Sequence, residues 1–235
     1  MKRTTEENYE NLKAGNEILS QIIVSAGPLM VSRIGSVEFD ALRIKDITSM
    51  PRYRVYNRLF SLWRNAGVFP PTFSQFEVFY GEYTEALRNA DCYARFGIEN
   101  EENTLAPFLD SPTVVPLEVL DPVLLASIGL SPWSLKLKDK NVLIIHPASK
   151  LIESQSNKLL ELHNYPVWEK TRIVALAPPQ TNGFEVSFRR NWSKRLMNFL
   201  EELDIVIETR QPDIALVAAG NYLSDYFFPI FGSIQ

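Results

Sequence analysis

Three apolar runs in the C-terminal half limit this chain's fold more than any other feature. They are NVLIIH (141–146), TRIVALA (171–177) and DIALVAAG (213–220). Each has strand length and almost no polar interruption, the pattern of a strand covered on both faces. Between the first two, Ser149 is expected to cap a helix that turns Leu151, Ile152, Gln155, Leu159 and Leu162 inward. Between the second and third, Phe188, Trp192, Leu196, Phe199, Leu200 and Leu203 make a helical stripe. Strand–helix alternation predicts a parallel sheet with right-handed crossovers.

The N-terminal half reads as helical. Thr4 and Glu7 have capping-box spacing, and Tyr9, Leu12, Leu19, Ile22 and Ile23 predict an amphipathic helix over 5–25. Gly27-Pro28 breaks it before a short strand, LMVSRI. Helices follow over 36–48, 53–66 and 73–89, with NAGVFPPT separating the last two, and then a strand, DCYARF (91–96). Residues 97–112 read as a polar loop whose Glu99, Glu101 and Glu102 form a solvated acidic face. The expected fold is α/β, a Rossmann-like, mainly parallel sheet flanked by helices. Its α-helical N-terminal part covers about 1–90 and its parallel α/β part about 91–235, within one domain.

With 46% hydrophobic and 11% aromatic residues the chain has material for a large core. Lys+Arg number 24 against 28 Asp+Glu, net charge −4, and no long basic run occurs, which disfavours a nucleic-acid partner. In RYRVYNRLFSLWR (52–64) arginines alternate with aromatics, a pattern that suits a sugar, a phosphate or a partner. The simpler expectation is an amphipathic helix whose arginines cover its own rings. The single cysteine, Cys92, excludes an intramolecular disulfide and a cysteine zinc site and suits a reducing cytoplasm. The start of the chain lacks a signal-peptide pattern and no apolar stretch has membrane-spanning length, so a soluble cytoplasmic protein is expected.

In an open parallel sheet, ligands collect beyond the carboxyl ends of the strands. Four such ends are RIGSVE, HPASK, APPQTNG and AAGNY, expected to converge on one cleft. None is a Walker A or G-x-G-x-x-G loop. Glu38, in the first turn of its helix, has an ordinary role as a complement to the helix dipole. Arg33, at a strand end, has a fork suited to a carboxylate or diphosphate. His146 is by default a structural histidine. His146 and His163 are the only histidines, so a histidine-rich metal site is excluded, whereas a hard cation held by carboxylate and phosphate oxygens is not.

RIGSVE resembles the R-x-G-D-G-E signature of bacterial glycosyltransferases with the GT-D fold, a family first catalogued as a domain of unknown function. NAGVFP, PWSLKLKDKNVLIIHPASKLIESQ, RIVALAPPQ, NWSKRLMNFL and DIALVAAGNY follow in that family's order, so the resemblance covers roughly 10–225. It implies metal-dependent transfer of a sugar from a nucleotide-diphosphate donor to a surface-glycan or glycoprotein acceptor. Carried over, Arg33, Gly35 and Glu38 match the signature, and Ser36 stands where the family has aspartate. Glu38 and Arg33 become the expected catalytic pair, and Glu38, with Ser36 as a weak helper, the ligand of Mn²⁺ or Mg²⁺. Donor contacts are expected from Arg33, Gly35, Ser36, His146, Ser149, Lys150, Gly220 and Tyr222. Glu38 and Asp225 are the candidate general bases. AAGNYLSDYF departs from the family's small-G-A-Y-G pattern at Asn221 and Leu223. The family continues beyond the point matching PIFGSIQ, so a shortened C-terminus is expected.

Two rivals remain. Ser36 and the short C-terminus suit a binding module that keeps a nucleotide-sugar or partner surface without turnover. A Rossmann-like methyltransferase is disfavoured because no glycine-rich loop follows the first strand with an acidic residue closing the second.

Overall fold

The computed structural model describes residues 5–25, 29–44, 51–156, 171–179 and 192–217. In chain order the helices are α1 (Thr5–Val24), α2 (Ser36–Leu42), α3 (Arg52–Ala66), α4 (Phe73–Arg88), α5 (Glu101–Leu105), α6 (Pro122–Ser127), α7 (Ser149–Gln155) and α8 (Trp192–Arg210). The strands are β1 (Val31–Arg33), β2 (Cys92–Arg95), β3 (Thr113–Pro116), β4 (Asn141–Ile145), β5 (Arg172–Leu176) and β6 (Ile214–Val217). Every described strand pair is parallel.

The single expected sheet is two three-stranded sheets, ordered β1-β2-β3 and β5-β4-β6. Alternating side chains divide both sheets between the same two cores. Tyr93 of β2 joins Leu143 and Ile145 of β4 in one, while Cys92 and Ala94 join Val142 in the other. This is the period of two that a strand imposes, shared across the two sheets. The first core takes Phe39, Leu59, Phe76 and Phe79 from the N-terminal helices and Leu196 and Phe199 from α8. The second packs α1, through Leu19, against Val115, Val119, Leu125 and Trp133.

Local chemistry explains several element boundaries. Thr72 accepts from the Gln75 N–H to cap α4, and Asp121 accepts from the Val123 and Leu124 N–H groups to cap α6. Gly67, at φ 82°, ends α3 in the left-handed region. Two aspartates staple the strand entries. Asp91 Oδ2 accepts from Met30 N–H at 2.7 Å, and Asp213 Oδ2 accepts from Asn141 N–H at 2.7 Å. Asn16 links α1 to the distant 131–133 turn, donating to Ser131 O and accepting from Trp133 N–H, both at 2.8 Å.

Several expectations are corrected here. Residues 97–112 are not a plain loop, because they contain α5 followed by a 3-10 turn at Ala106–Phe108. Glu101 is not part of a solvated face; it is 2% exposed. Ser149 does not cap α7, whose cap residue is Ala148, and Leu151 points outward at 55% exposure while Gln155 is also exposed. The second helix, expected over 36–48, ends at Leu42 with Arg43 as its cap residue. Leu159, Leu162, Phe188 and Thr4 lie outside the described residues.

Candidate active site

β1 delivers its carboxyl end into α2 through Ile34 and Gly35. Ile34 is fully buried and anchors the turn, while Arg33 and Ser36 on either side are exposed. Gly35 is the cap residue of α2 with extended backbone, φ −87° and ψ 160°, and makes no side-chain cap. The need for glycine is spatial. A Cβ at residue 35 would stand 3.0 Å from Glu38 Cδ and closer still to Glu38 Oε2. Glu38 therefore folds its carboxylate back over Gly35, where it accepts from its own backbone N–H. Burial pushes the Glu38 carboxyl above its ordinary value; that N–H and the Arg33 charge pull the other way but do not prevail. Arg33, Gly35, Ser36 and Glu38 are thus brought together.

Two tyrosines hold the turn that carries them. Tyr83 of α4 donates from its hydroxyl to Arg33 O at 3.4 Å. The Tyr93 hydroxyl accepts from Ile34 N–H and donates to Glu101 Oε1 at 2.5 Å. Glu101 in turn accepts from the Phe96, Gly97 and Ile98 N–H groups at 2.9, 2.6 and 2.9 Å. The chain of bonds runs from the loop after β2 to the end of β1. Sequence reasoning missed Tyr83, Tyr93 and Glu101 as positioning residues. The only available signal was a tyrosine in β2 eight positions before a glutamate, which no spacing rule singles out.

The HPASK segment follows β4, the central strand of the second sheet. His146 donates its main-chain N–H to Leu176 O at 3.0 Å, and its ring Nδ1 accepts from Ala148 N–H at 2.9 Å. In the neutral ring the proton then sits on Nε2. The imidazole thus closes its own turn, the structural role expected by default. Ser149 is buried and Lys150 exposed. The carboxyl ends of β5 and β6 lie on either side of this segment.

The three strand ends that fall within the described residues form two groups, and the fourth, 218–222, lies outside them. Residues 33–38 close the first sheet; 146–150 and the segment after β5 close the second. The described link between them is the core shared by Ile34 and Ile145. Residues 180–183, Gly220, Asn221, Tyr222, Leu223, Asp225 and His163 lie outside the described residues. Among the described residues, no three His, Cys, Asp or Glu side chains form a metal-ligating group. The site residues near β1 therefore offer a cation one carboxylate, Glu38, and one hydroxyl, Ser36. That set suits a hard ion only if phosphate oxygens complete the shell. No described helix is long and apolar enough to cross a membrane. Comparison with protein-family models, curated proteins and solved structures returns no match.

Proposed function

We propose that the chain is a glycosyltransferase of GT-D-like, Rossmann-like architecture that transfers a sugar from a nucleotide-diphosphate donor. The acceptor would be a surface glycan or glycoprotein. The observation that carries the reading is the tip at β1, where Arg33 and Glu38 flank a glycine that leaves room for a carboxylate. Parallel strands that share two cores with flanking helices support it, because such sheets bind ligands at their carboxyl ends. Loss of a nucleoside diphosphate concentrates negative charge on the leaving phosphates. The Arg33 fork can meet that charge with paired hydrogen bonds. A divalent cation bound by Glu38 and phosphate oxygens would supply further neutralisation. Ser36 can add a hydroxyl contact but no charge. Lys150, exposed beyond β4, is a candidate second contact for the diphosphate.

The rival, a nucleotide-sugar binding module without turnover, is favoured by two observations. Ser36 brings no charge, and burial raises the Glu38 carboxyl above its ordinary value, which disfavours the charged form a cation needs. Calorimetry with a panel of nucleotide sugars, with and without Mn²⁺, tests both. On the enzyme reading the donor binds in an Mn²⁺-dependent way, Ser36→Asp tightens it, and sugar transfer or donor hydrolysis follows. Mn²⁺-independent binding without turnover identifies the module. No binding by wild type or Ser36→Asp removes both.

A further inference from the structure

The third helix carries charge that its own stability does not call for. Its first turn contains Arg52 and Arg54, holds no acidic residue, and starts at Pro51 without a side-chain cap. Cations at that end oppose the positive pole of the helix. Over its whole length α3 has four arginines and no carboxylate, in a chain of net charge −4.

Leu59, Leu62 and Ala66 bury one side of α3. On the adjoining flank Tyr53, Tyr56 and Phe60 follow one another at helical spacing, yet remain 61%, 67% and 50% exposed. Half-buried Trp63 extends the row, meeting the Phe60 ring edge-on with centroids 5.0 Å apart. Arg54 does lie over an aromatic ring of its own helix, as expected from the sequence. Its Nε donates to the Tyr53 hydroxyl at 3.2 Å and its guanidinium carbon is 5.9 Å from the ring centroid. Tyr56 and Phe60 nevertheless stand largely open to solvent, with exposed Arg64 one turn beyond Phe60. An exposed aromatic row of this kind marks an interaction surface.

We propose that this face of α3 docks on the headgroup layer of an anionic lipid bilayer, the helix lying in the plane of the interface. Tyrosine, phenylalanine and tryptophan settle at headgroup depth, and arginines on the same helix meet the lipid phosphates. Charge selects this occupant over a second copy of the chain. A two-fold contact through the same face would set exposed Arg54 and Arg64 against the same residues of the second copy, a like-charge arrangement that disfavours pairing, while half-buried Arg58 takes no part in this face. The inference uses no residue of the β1 tip and stands apart from the proposed transfer reaction.

Vesicle flotation of the full chain tests it, using vesicles of phosphatidylcholine alone and vesicles containing phosphatidylglycerol. Binding is expected only to the anionic vesicles and should be released by high salt. Arg54→Glu combined with Arg64→Glu should weaken it by about tenfold or more. Tyr56→Ser combined with Phe60→Ser should weaken it at low salt as well. These positions are exposed, so unchanged circular dichroism will confirm that the variants fold. No binding to anionic vesicles, equal binding to neutral ones, or indifference to both double variants would overturn the proposal. So would a dimer on gel filtration that Phe60→Ser dissolves, which would assign the face to a second chain.

Discussion

Tyr93 donates its hydroxyl proton to Glu101 across 2.5 Å, and this buried pair fixes where β1 ends. The same tyrosine oxygen receives Ile34 N–H, and the same carboxylate gathers three N–H groups of the loop after β2. The exit of β1, with Arg33 and Gly35 on either side of Ile34, is thereby tied to a second strand. The candidate site depends on a glutamate that never approaches it directly.

Glu101→Ala should cost on the order of 3 kcal/mol, because it strands the buried Tyr93 hydroxyl and removes the acceptor of three part-buried N–H groups. Glu101→Gln should cost less, since one acceptor oxygen survives while an amide N–H replaces the other. Urea unfolding of the three proteins measures this. A loss under about 1 kcal/mol for Glu101→Ala would mean that water takes over the N–H groups.

Alkaline pH probes the other partner. Burial, reinforced by the hydrogen bond to Glu101 and its charge, drives the Tyr93 phenol far above its ordinary value. The unfolded chain releases that proton near pH 10, whereas the folded chain keeps it. Folded protein then binds more protons than unfolded protein, so stability must fall as pH rises past about 10. Tyr93→Phe should flatten that part of the pH–stability curve while lowering stability at neutral pH through the lost hydrogen bond. Equal alkaline slopes for the two proteins would show that Tyr93 does not titrate differently on folding.

The parts of the fold readable in the sequence were those set by continuous burial or clear periodicity. NVLII, RIVAL and IALV are strands as their apolar runs predict, although only β4 is buried while the flanking β5 and β6 stay half-buried to exposed. The helix α8 follows its stripe, with Trp192, Phe199 and Leu203 buried. The omissions and misreadings have other causes. TVVP becomes β3 only by pairing with β2, and a short edge strand ending in proline gives no periodic signal. Glu101 looked solvated because composition cannot show that three neighbouring N–H groups turn toward it. Leu151 looked inward because the period fixes a face but not which face meets the core. At the site, Arg33, Gly35 and Glu38 were legible as neighbours, whereas the tyrosines that hold them arrive from α4 and β2.

Phe199 tests the α8 stripe directly. It is 3% exposed within the core that also holds Leu196, Leu200 and Leu203. Phe199→Ala should cost about 3–5 kcal/mol, the sum of lost burial and a cavity that neighbours only partly fill. An unfolding midpoint within error of wild type would contradict that placement.

Glu38 separates function from stability through pH. Its folded carboxyl lies above the ordinary value of 4.5, raised first by burial. A carboxyl raised on folding contributes stability that is fully present below the unfolded value and lost as pH rises through the folded one. Wherever the side chain is ionised it is thus a net burden. Glu38→Gln should leave stability at pH 7 unchanged or slightly higher, by no more than about 1 kcal/mol after screening. Wild type should regain the advantage below about pH 4.5. A simple complement to the helix dipole would behave oppositely, losing about 0.3–1 kcal/mol at pH 7 on substitution. Chemical unfolding at the two pH values distinguishes the cases.

Gly35→Ala joins the stability and binding arguments. The backbone at residue 35 is one that alanine adopts without strain, so the substitution acts through its methyl group alone. That methyl would occupy the place of the Glu38 carboxylate, the movable end of a flexible side chain. The carboxylate should swing away, and stability should change by less than about 1 kcal/mol. If the transfer reading is right, donor affinity falls as far in Gly35→Ala as in Glu38→Gln. The double variant should then be no worse than either single one, because both act on the same charge. Calorimetric affinities for a nucleotide sugar, measured on the four proteins with Mn²⁺ present, complete this cycle. Additive losses would show that Gly35 serves the donor independently, through close approach of its own backbone. Unchanged affinity in Gly35→Ala would show that Glu38 binds from a position the unliganded turn does not display.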